Sequence, residues 1–422
     1  MPPRTKRRKR ATVHRERTPK GHQIDHLLLI TVLALLIFGL IMIASIGVPK
    51  SIHLSAPDML YPNCGSDDVD CYLILKNHSI RLIIGLLVFL GALKIHYSFW
   101  RKMSLPFFAL AFGLLMMVLF FGSDHNTFAR SWLSISSIPF LQSVQPTEIA
   151  KLALIFYFGT WLDRKQRDNE INTFQGGFLA FCVVSLLLIG PVIFQPDLGS
   201  TLVLASIAAG MYFIAGADWK HILLGVTIAS FLAIITVSNS DYLGNRFSAF
   251  LSPTVECAED YCWQSEQSKI AVGSGGVWGR GLTQGIQKSY WLPQASDDFI
   301  FAASAEEIGF IRVVFVIMAY SVIMYKGFQI ANYAPDPFAR LTAAGITLWI
   351  SAQSFINIMV NIALFPVTGI TLPFVSYGGS SMVMTLAAVG VLLNISKYTT
   401  HRAYTPQWRR NSRPRLTPYR RR

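Results

Sequence analysis

Asp298 lies in Trp-Leu-Pro-Gln-Ala-Ser-Asp-Asp-Phe-Ile-Phe-Ala (291–302), a polar turn running into an apolar stretch. A carboxylate in the first turn of a helix feels the positive end of the helix dipole, which favours its ionised form. Burial at a membrane surface pushes the other way. A carboxylate held between these influences can accept a proton from a hydroxyl. Ser296 or Asp297 would cap that helix and place Asp298 in its first turn. Capping alone is the competing account of the same residues.

Other polar groups stand against apolar runs, where ionisable side chains are costly and usually functional. Upstream of the turn is Gly-Ser-Gly-Gly-Val-Trp-Gly-Arg-Gly-Leu (273–282), followed by Gln287 and Lys288. Glycines let backbone amides approach a phosphate, and Arg280 and Lys288 add positive charge. The spacing matches neither a P-loop nor a dinucleotide fingerprint. A second hydroxyl- and glycine-rich run, 368–381, contains Ser376, Tyr377, Gly378, Gly379 and Ser380. Glu148 and Lys151 are three apart on one helical face, either as an ion pair or as part of a polar cavity wall. Asp197 would N-cap a following helix. Gln353, Asn357 and Asn361 are spaced by four and form one amide stripe, suited equally to interhelical hydrogen bonds and to a sugar-binding wall. Glu306 and Glu307 need cationic partners, for which Lys151 and Arg312 are candidates.

These residues must be positioned by a membrane protein. Of 422 residues, 52% are apolar and 14% charged, and the mean hydropathy is +0.43. A soluble domain carries about a quarter charged residues. So few charges exclude a soluble enzyme, a disordered chain and a secreted disulfide scaffold. The expected fold is an all-α integral membrane protein of about ten transmembrane helices. The apolar segments are 27–46, 80–97, 105–121, 146–162, 178–194, 201–215, 222–237, 299–324, 341–364 and 382–395. Several fall short of about 20 residues, so their helices should extend into the flanks. No cleavable signal peptide is expected, because the first run is long and lacks a small-residue cleavage pattern.

Net charge is +14, and nine basic residues lie in each terminal arm. Basic arms flanking an apolar body suit an anionic cytoplasmic leaflet rather than nucleic acid, and equally suit solvated tails. With the N-terminus inside, inner segments hold 26 basic residues and outer segments 8. The layout is a basic cytoplasmic arm (1–25), a membrane domain (26–396) and a basic cytoplasmic tail (397–422). A large extracytoplasmic loop (238–298) then lies between the seventh and eighth helices. Cys64/Cys71 and Cys257/Cys262 fall in outer loops, where one or two disulfides are expected, and Cys182 lies within a span. No internal repeat supports an inverted-repeat transporter.

From 27 to 395 the chain resembles the SEDS family, of the FtsW/RodA type. The resemblance rests on Gln-Pro-Thr-Glu (145–148) with Lys151, Gln-Pro-Asp-Leu-Gly (195–199), Gly-Ser-Gly-Gly (273–276), Leu292-Pro through Asp298-Phe-Ile-Phe, Glu-Glu-Ile-Gly (306–309) and Ser-Tyr-Gly-Gly-Ser-Ser (376–381). It implies a ten-helix peptidoglycan glycosyltransferase that polymerises lipid II at the outer face with a class B penicillin-binding protein transpeptidase. The family's essential acid ends Leu-Pro-Glu-Ala-His-Thr-Asp-Phe-Ile-Phe and falls on Asp298. Gln294, Ser296 and Asp297 depart from that motif, and Ser252 stands where the family commonly has aspartate. Asp297 adds an adjacent carboxylate, so titration is coupled.

The implied reaction is inverting transfer onto the 4-hydroxyl of lipid II, with undecaprenyl pyrophosphate leaving from the growing glycan. Arg130, Lys151, Arg246 and Lys288 are the cations available for that group, with Gln287 and the 376–380 run beside them. A divalent cation (Mg or Mn) is a further source of charge, although no metal-ligand spacing is visible. Glu148, Asp197, Asp297, Glu306, Glu307 and Asn357 are expected to line or brace the polar interior. Gly-Ile-Gln-Lys (285–288) resembles the division branch's Ser-x-Gln-Lys, which implies divisome partners and a septal location in the cytoplasmic membrane. A lipid II flippase and a non-catalytic scaffold for the transpeptidase are the alternatives.

Overall fold

The computed structural model describes residues 23–57, 64, 66, 69–122, 131–134, 143–251 and 261–399. Its helices are α1 (His26–Ile46), α2 (Val48–Ser55), α3 (Leu73–Lys94), α4 (Ser98–Phe121), α5 (Pro146–Arg167), α6 (Ala180–Phe194), α7 (Leu198–Ile214), α8 (Trp219–Ser238), α9 (Asp241–Leu251), α10 (Tyr261–Ser274), α11 (Ile300–Asn332), α12 (Pro337–Asn361) and α13 (Gly379–Ser396). A π-helical turn, Phe174–Leu179, leads into α6. A two-residue ribbon pairs β1 (Leu133–Ser134) with β2 (Ser143–Val144), antiparallel.

Local signals start several helices. Asp25, Asp197 and Asp336 cap α1, α7 and α12 by accepting from Leu28, Ser200 and Ala339 N–H at 2.9–3.0 Å. Pro146 and Pro337 occupy first turns, where a missing N–H is harmless. Each of the ten apolar segments falls on a helix, and α3 begins seven residues before its segment. Eight helices among the described residues are long and apolar enough to cross a membrane. The apolar helix α7 is shorter, and α5 is 22 residues long but buries Glu148, Lys151 and Asp163.

The bundle centre is α5, α12 and α13. α13 packs along α3, and α12 lies against α5, α7 and α11. α8 buries no residue fully, and most of its apolar surface faces outward. The 238–298 segment is not an open loop, since it contains α9 and α10. Cys64 and Cys71 form a disulfide, with Cα atoms 5.7 Å apart. Cys262 is also disulfide-bonded, and Cys257 lies outside the described residues. Cys182 is a free, half-buried thiol.

α11 is interrupted at Gly309, whose φ of 78° and ψ of 172° leave helical geometry. The 275–287 segment is stitched into that break. Arg280 and Gly281 N–H donate to Glu306 and Glu307 carbonyls at 3.0 and 2.9 Å, and Phe310 N–H donates to the Gly276 carbonyl at 2.9 Å. The main-chain groups freed by the break are thereby satisfied, as backbone within a bilayer-spanning bundle requires. Gly275 and Gly279 serve close approach to α11, since a Cβ on either would run into the main chain of 305–309. A Cβ on Gly309 would lie 2.2 Å from the Gly279 nitrogen. Gly309→Ala combines that clash with an unfavourable φ, a strain of about 1–3 kcal/mol before the clash is counted. A lower melting temperature in detergent is the expected result.

Candidate active site

Asp298 precedes α11, one residue before its N-cap, Phe299. Neither Ser296 nor Asp297 caps the helix, contrary to the expectation from sequence. The role passes to α12, where Asn361 Oδ1 accepts from Ala302 N–H at 2.9 Å. The amide stripe also fixes Asp298 itself. Asn357 and Asn361 Nδ2 both donate to the Asp298 carbonyl, at 2.8 and 2.9 Å. Asn357 Nδ2 reaches the Ile370 carbonyl at 2.8 Å, and Gln353 Nε2 reaches that of Thr371 at 3.0 Å. Hydrogen bonding to two loops is thus what the stripe does here, and it sets the 291–298 turn against the 365–378 loop. Tyr377 N–H donates to the Ser296 carbonyl at 3.0 Å, closing the same junction.

With its main chain clamped, the half-buried Asp298 carboxylate has no hydrogen bond to any described residue. Its Oδ2 lies beside Gly369, 3.7 Å from where a Cβ would stand. Burial, and then the neighbouring Asp297 charge, push the Asp298 carboxyl up to about 7, while Lys50 and Arg246 pull it down and Asp197 adds a small upward push. Arg246 Nη1 donates to the Val367 carbonyl at 3.0 Å, on the loop that carries Gly369. Ser376 is buried and its Oγ accepts from Leu372 N–H at 2.8 Å, bracing that loop. Gly378 is the N-cap of α13, and Ser380 Oγ accepts from Gln145 N–H at 3.1 Å.

Two cations at this site went unnoticed in the sequence. Lys50, on α2, pairs with Asp297 Oδ2 and donates to Gln294 Oε1 at 3.1 Å. Arg81, on α3, lies over the Tyr377 ring at 4.9 Å, with Lys50 over the same ring at 5.6 Å. Both sit far from Asp298 in sequence, in segments with no distinctive motif, so only the folded chain reveals them.

The other charged candidates lie elsewhere. Lys151 is fully buried and bonds Glu148 Oε1 and Gln353 Oε1, each at 2.8 Å. Lys288 joins Glu307 at 2.6 Å and Ser45 at 3.2 Å, at the α11 break. Glu306 accepts from Ile286 and Gln287 N–H, both at 3.0 Å, with Arg280 at 3.6 Å. The expected partners Lys151 and Arg312 are thus replaced by Arg280 and Lys288, because the glycine-rich segment enters the break. Arg312 instead donates to the Trp278 and Ile308 carbonyls. Arg130 and Ser252 lie outside the described residues. Among the described residues, no group of three or more His, Cys, Asp or Glu is placed to hold a metal ion.

Fold and site together define a polytopic helical membrane protein whose polar centre presents a carboxylate and basic side chains at the ends of its helices. The family model described as cell cycle protein, FtsW/RodA/SpoVE, matches residues 25–401, and the chain belongs to that family. It is 35% identical to a probable peptidoglycan glycosyltransferase FtsW of Trichlorobacter lovleyi over 89% of this chain and 93% of the relative. It is 36% identical to stage V sporulation protein E of Bacillus subtilis over 91% of this chain and all of the relative. In fold it is similar to a chain of a peptidoglycan synthase complex (TM-score 0.68, 24% identity, 90% of this chain and 99% of the other). The rod shape determining protein RodA of Thermus thermophilus is also similar (TM-score 0.63, 24% identity, 89% and 98%).

Proposed function

We propose that this chain polymerises lipid II at the outer face of the cytoplasmic membrane, with Asp298 as general base. Curated relatives are named probable peptidoglycan glycosyltransferases, and family membership gives the chain that activity. The observation that carries the catalytic assignment is a half-buried carboxylate, fixed through its own carbonyl by two asparagines, whose oxygens bond no described residue. Such a group is positioned yet open to a hydroxyl.

The acceptor 4-hydroxyl of lipid II attacks C1 of the glycan's terminal MurNAc. A new C1–O bond forms as the bond to pyrophosphate breaks on the opposite face, turning α into β. The hydroxyl proton passes to Asp298. Undecaprenyl pyrophosphate leaves with its own charge, so no second carboxylate acts as acid. Arg81 and Arg246 supply positive charge near the Asp297–Asp298 pair, with Arg130 as a further candidate. Lys151 and Lys288, enclosed by Glu148 and Glu307, brace the scaffold instead. No step is assigned to a divalent ion.

The reading also places both termini in the cytoplasm and the 238–298 segment outside, on the basic-residue asymmetry. A class B penicillin-binding protein is the partner, supported by the fold's likeness to a chain of a synthase complex. Glycine-to-lysine 285–288 and the basic N-terminal arm favour division-site partners. Purified protein with its transpeptidase should convert lipid II into glycan strands. As the base must be ionised, the rate should fall as pH drops through about 7, the value burial and Asp297 impose on Asp298. Strand synthesis at the wild-type rate by Asp298→Asn would reject the assignment. Lipid II transfer between leaflets without strand formation would favour the flippase.

A further inference from the structure

The last turn of α1 and the start of α2 are fastened to the 283–298 segment at several points. Ser45 Oγ accepts from Thr283 N–H at 3.0 Å, and Tyr290 Oη donates to the Pro49 carbonyl at 3.4 Å. Lys50 completes the row. Its ammonium holds Asp297 and Gln294 together. Those two residues bracket a turn in which Asp297 N–H donates to the Gln294 carbonyl at 3.0 Å and Phe299 N–H to the same oxygen at 3.3 Å. Gln294 itself has φ of 55°, a left-handed conformation that a non-glycine residue holds only when its surroundings demand it. Lys50 also lies over the Tyr377 ring, whose main chain binds Ser296.

We propose that Lys50 is a positioning residue for the transfer reaction: by clamping Gln294 and Asp297 from α2, it sets both the place and the charge state of the Asp298 carboxylate. The proposal rests on the assignment of Asp298 as base. Lys50 touches no reacting atom in this arrangement and acts through Asp297. Among the described residues, the charged groups acting on Asp298 are Asp297 on its own turn, Lys50 on α2, Arg246 on α9 and Asp197 before α7, with Arg81 on α3 acting on Asp297. Two adjacent carboxylates without a cation share a proton. Lys50 allows both to ionise, so Asp298 can act as base near neutral pH. The ammonium reaches positions 294 and 297 at once, so either can carry the compensating carboxylate. Gln294 and Asp297 are the two positions where a charge has changed relative to the motif the chain resembles.

The test is the pH profile of glycan-strand synthesis by the purified chain with its transpeptidase and lipid II. Lys50→Met should move the acidic limb up by about one pH unit, the scale of losing one close opposite charge. Asp297→Asn should move it down, because a repelling charge is gone. Moving the carboxylate, with Gln294→Glu and Asp297→Asn together, should keep the limb sensitive to Lys50→Met. Lys50→Arg should restore the wild-type limb. A Lys50→Met protein that is merely less stable would lose rate at every pH with its limb unmoved, which overturns the proposal. Should Lys50→Met fail to fold, Lys50→Gln takes its place: the same upward shift of the limb is expected, and an unmoved limb overturns the proposal. If Asp298→Asn retains full activity, the base assignment itself falls. If Asp298→Asn is inactive and all limbs coincide, only the role of Lys50 falls.

Discussion

Asp298→Asn removes glycan-strand synthesis while leaving the protein folded. Loss of a positioned general base lowers the rate by roughly 100- to 10,000-fold, and asparagine keeps the side chain's shape. The contacts that fix the residue run through its carbonyl, to Asn357 and Asn361 at 2.8 and 2.9 Å, and the substitution leaves them in place. A half-buried carboxylate with no described hydrogen-bond partner is a burden on stability, visible in the upward displacement of its pKa. Neutral asparagine lifts that burden, so the melting temperature should hold or rise as activity disappears. This opposition of stability and activity separates a catalytic group from a structural one. Wild-type strand synthesis by Asp298→Asn, assayed from purified lipid II with the transpeptidase present, would rule out the base and leave scaffold or flippase in contention.

Much of the fold was legible because bilayer-spanning segments announce themselves by length and apolarity. The weakest of them by composition, α5, was still recognisable as an apolar run opened by Pro146. Asp197 was readable as a cap because capping is local in sequence, and it does accept from Ser200 N–H. Asp298 and the amide stripe were visible too, although the stripe's choice between bonding the protein and bonding a sugar needed the fold. What stayed hidden was long-range. Lys50 meets Asp297 across 247 residues, and nothing near Pro49 signals it. The glycine-rich run at 273–282 looked like an anion cradle because both uses call for bare backbone. Only the break at Gly309 shows that at Gly275 and Gly279 the backbone approached is the protein's own. That entry also reassigned the partners of Glu306 and Glu307, since it delivers Arg280, Lys288 and two main-chain N–H groups to them.

Lys151→Met should be the most destabilising single substitution within the membrane-embedded centre. The lysine is fully buried on α5, 2.8 Å from Glu148 and from Gln353, with its ammonium over the Trp349 ring at 5.5 Å. Removing it strands the Glu148 carboxylate, which is itself buried, and breaking a buried pair in this way costs about 3–5 kcal/mol. The consequence extends beyond the pair, because the same Gln353 binds the Thr371 carbonyl and so holds the loop beside Asp298. Polymerase activity should therefore fall with stability. Adding Glu148→Gln removes the stranded charge, and the double variant should recover most of the lost melting temperature while regaining less of the activity, since Gln353 still lacks its lysine. Thermal melts in detergent measure the first effect and strand synthesis the second. A single variant no less stable than the double would mean that stranding Glu148 costs nothing, and that the Lys151–Gln353 contact does not hold α5 to α12.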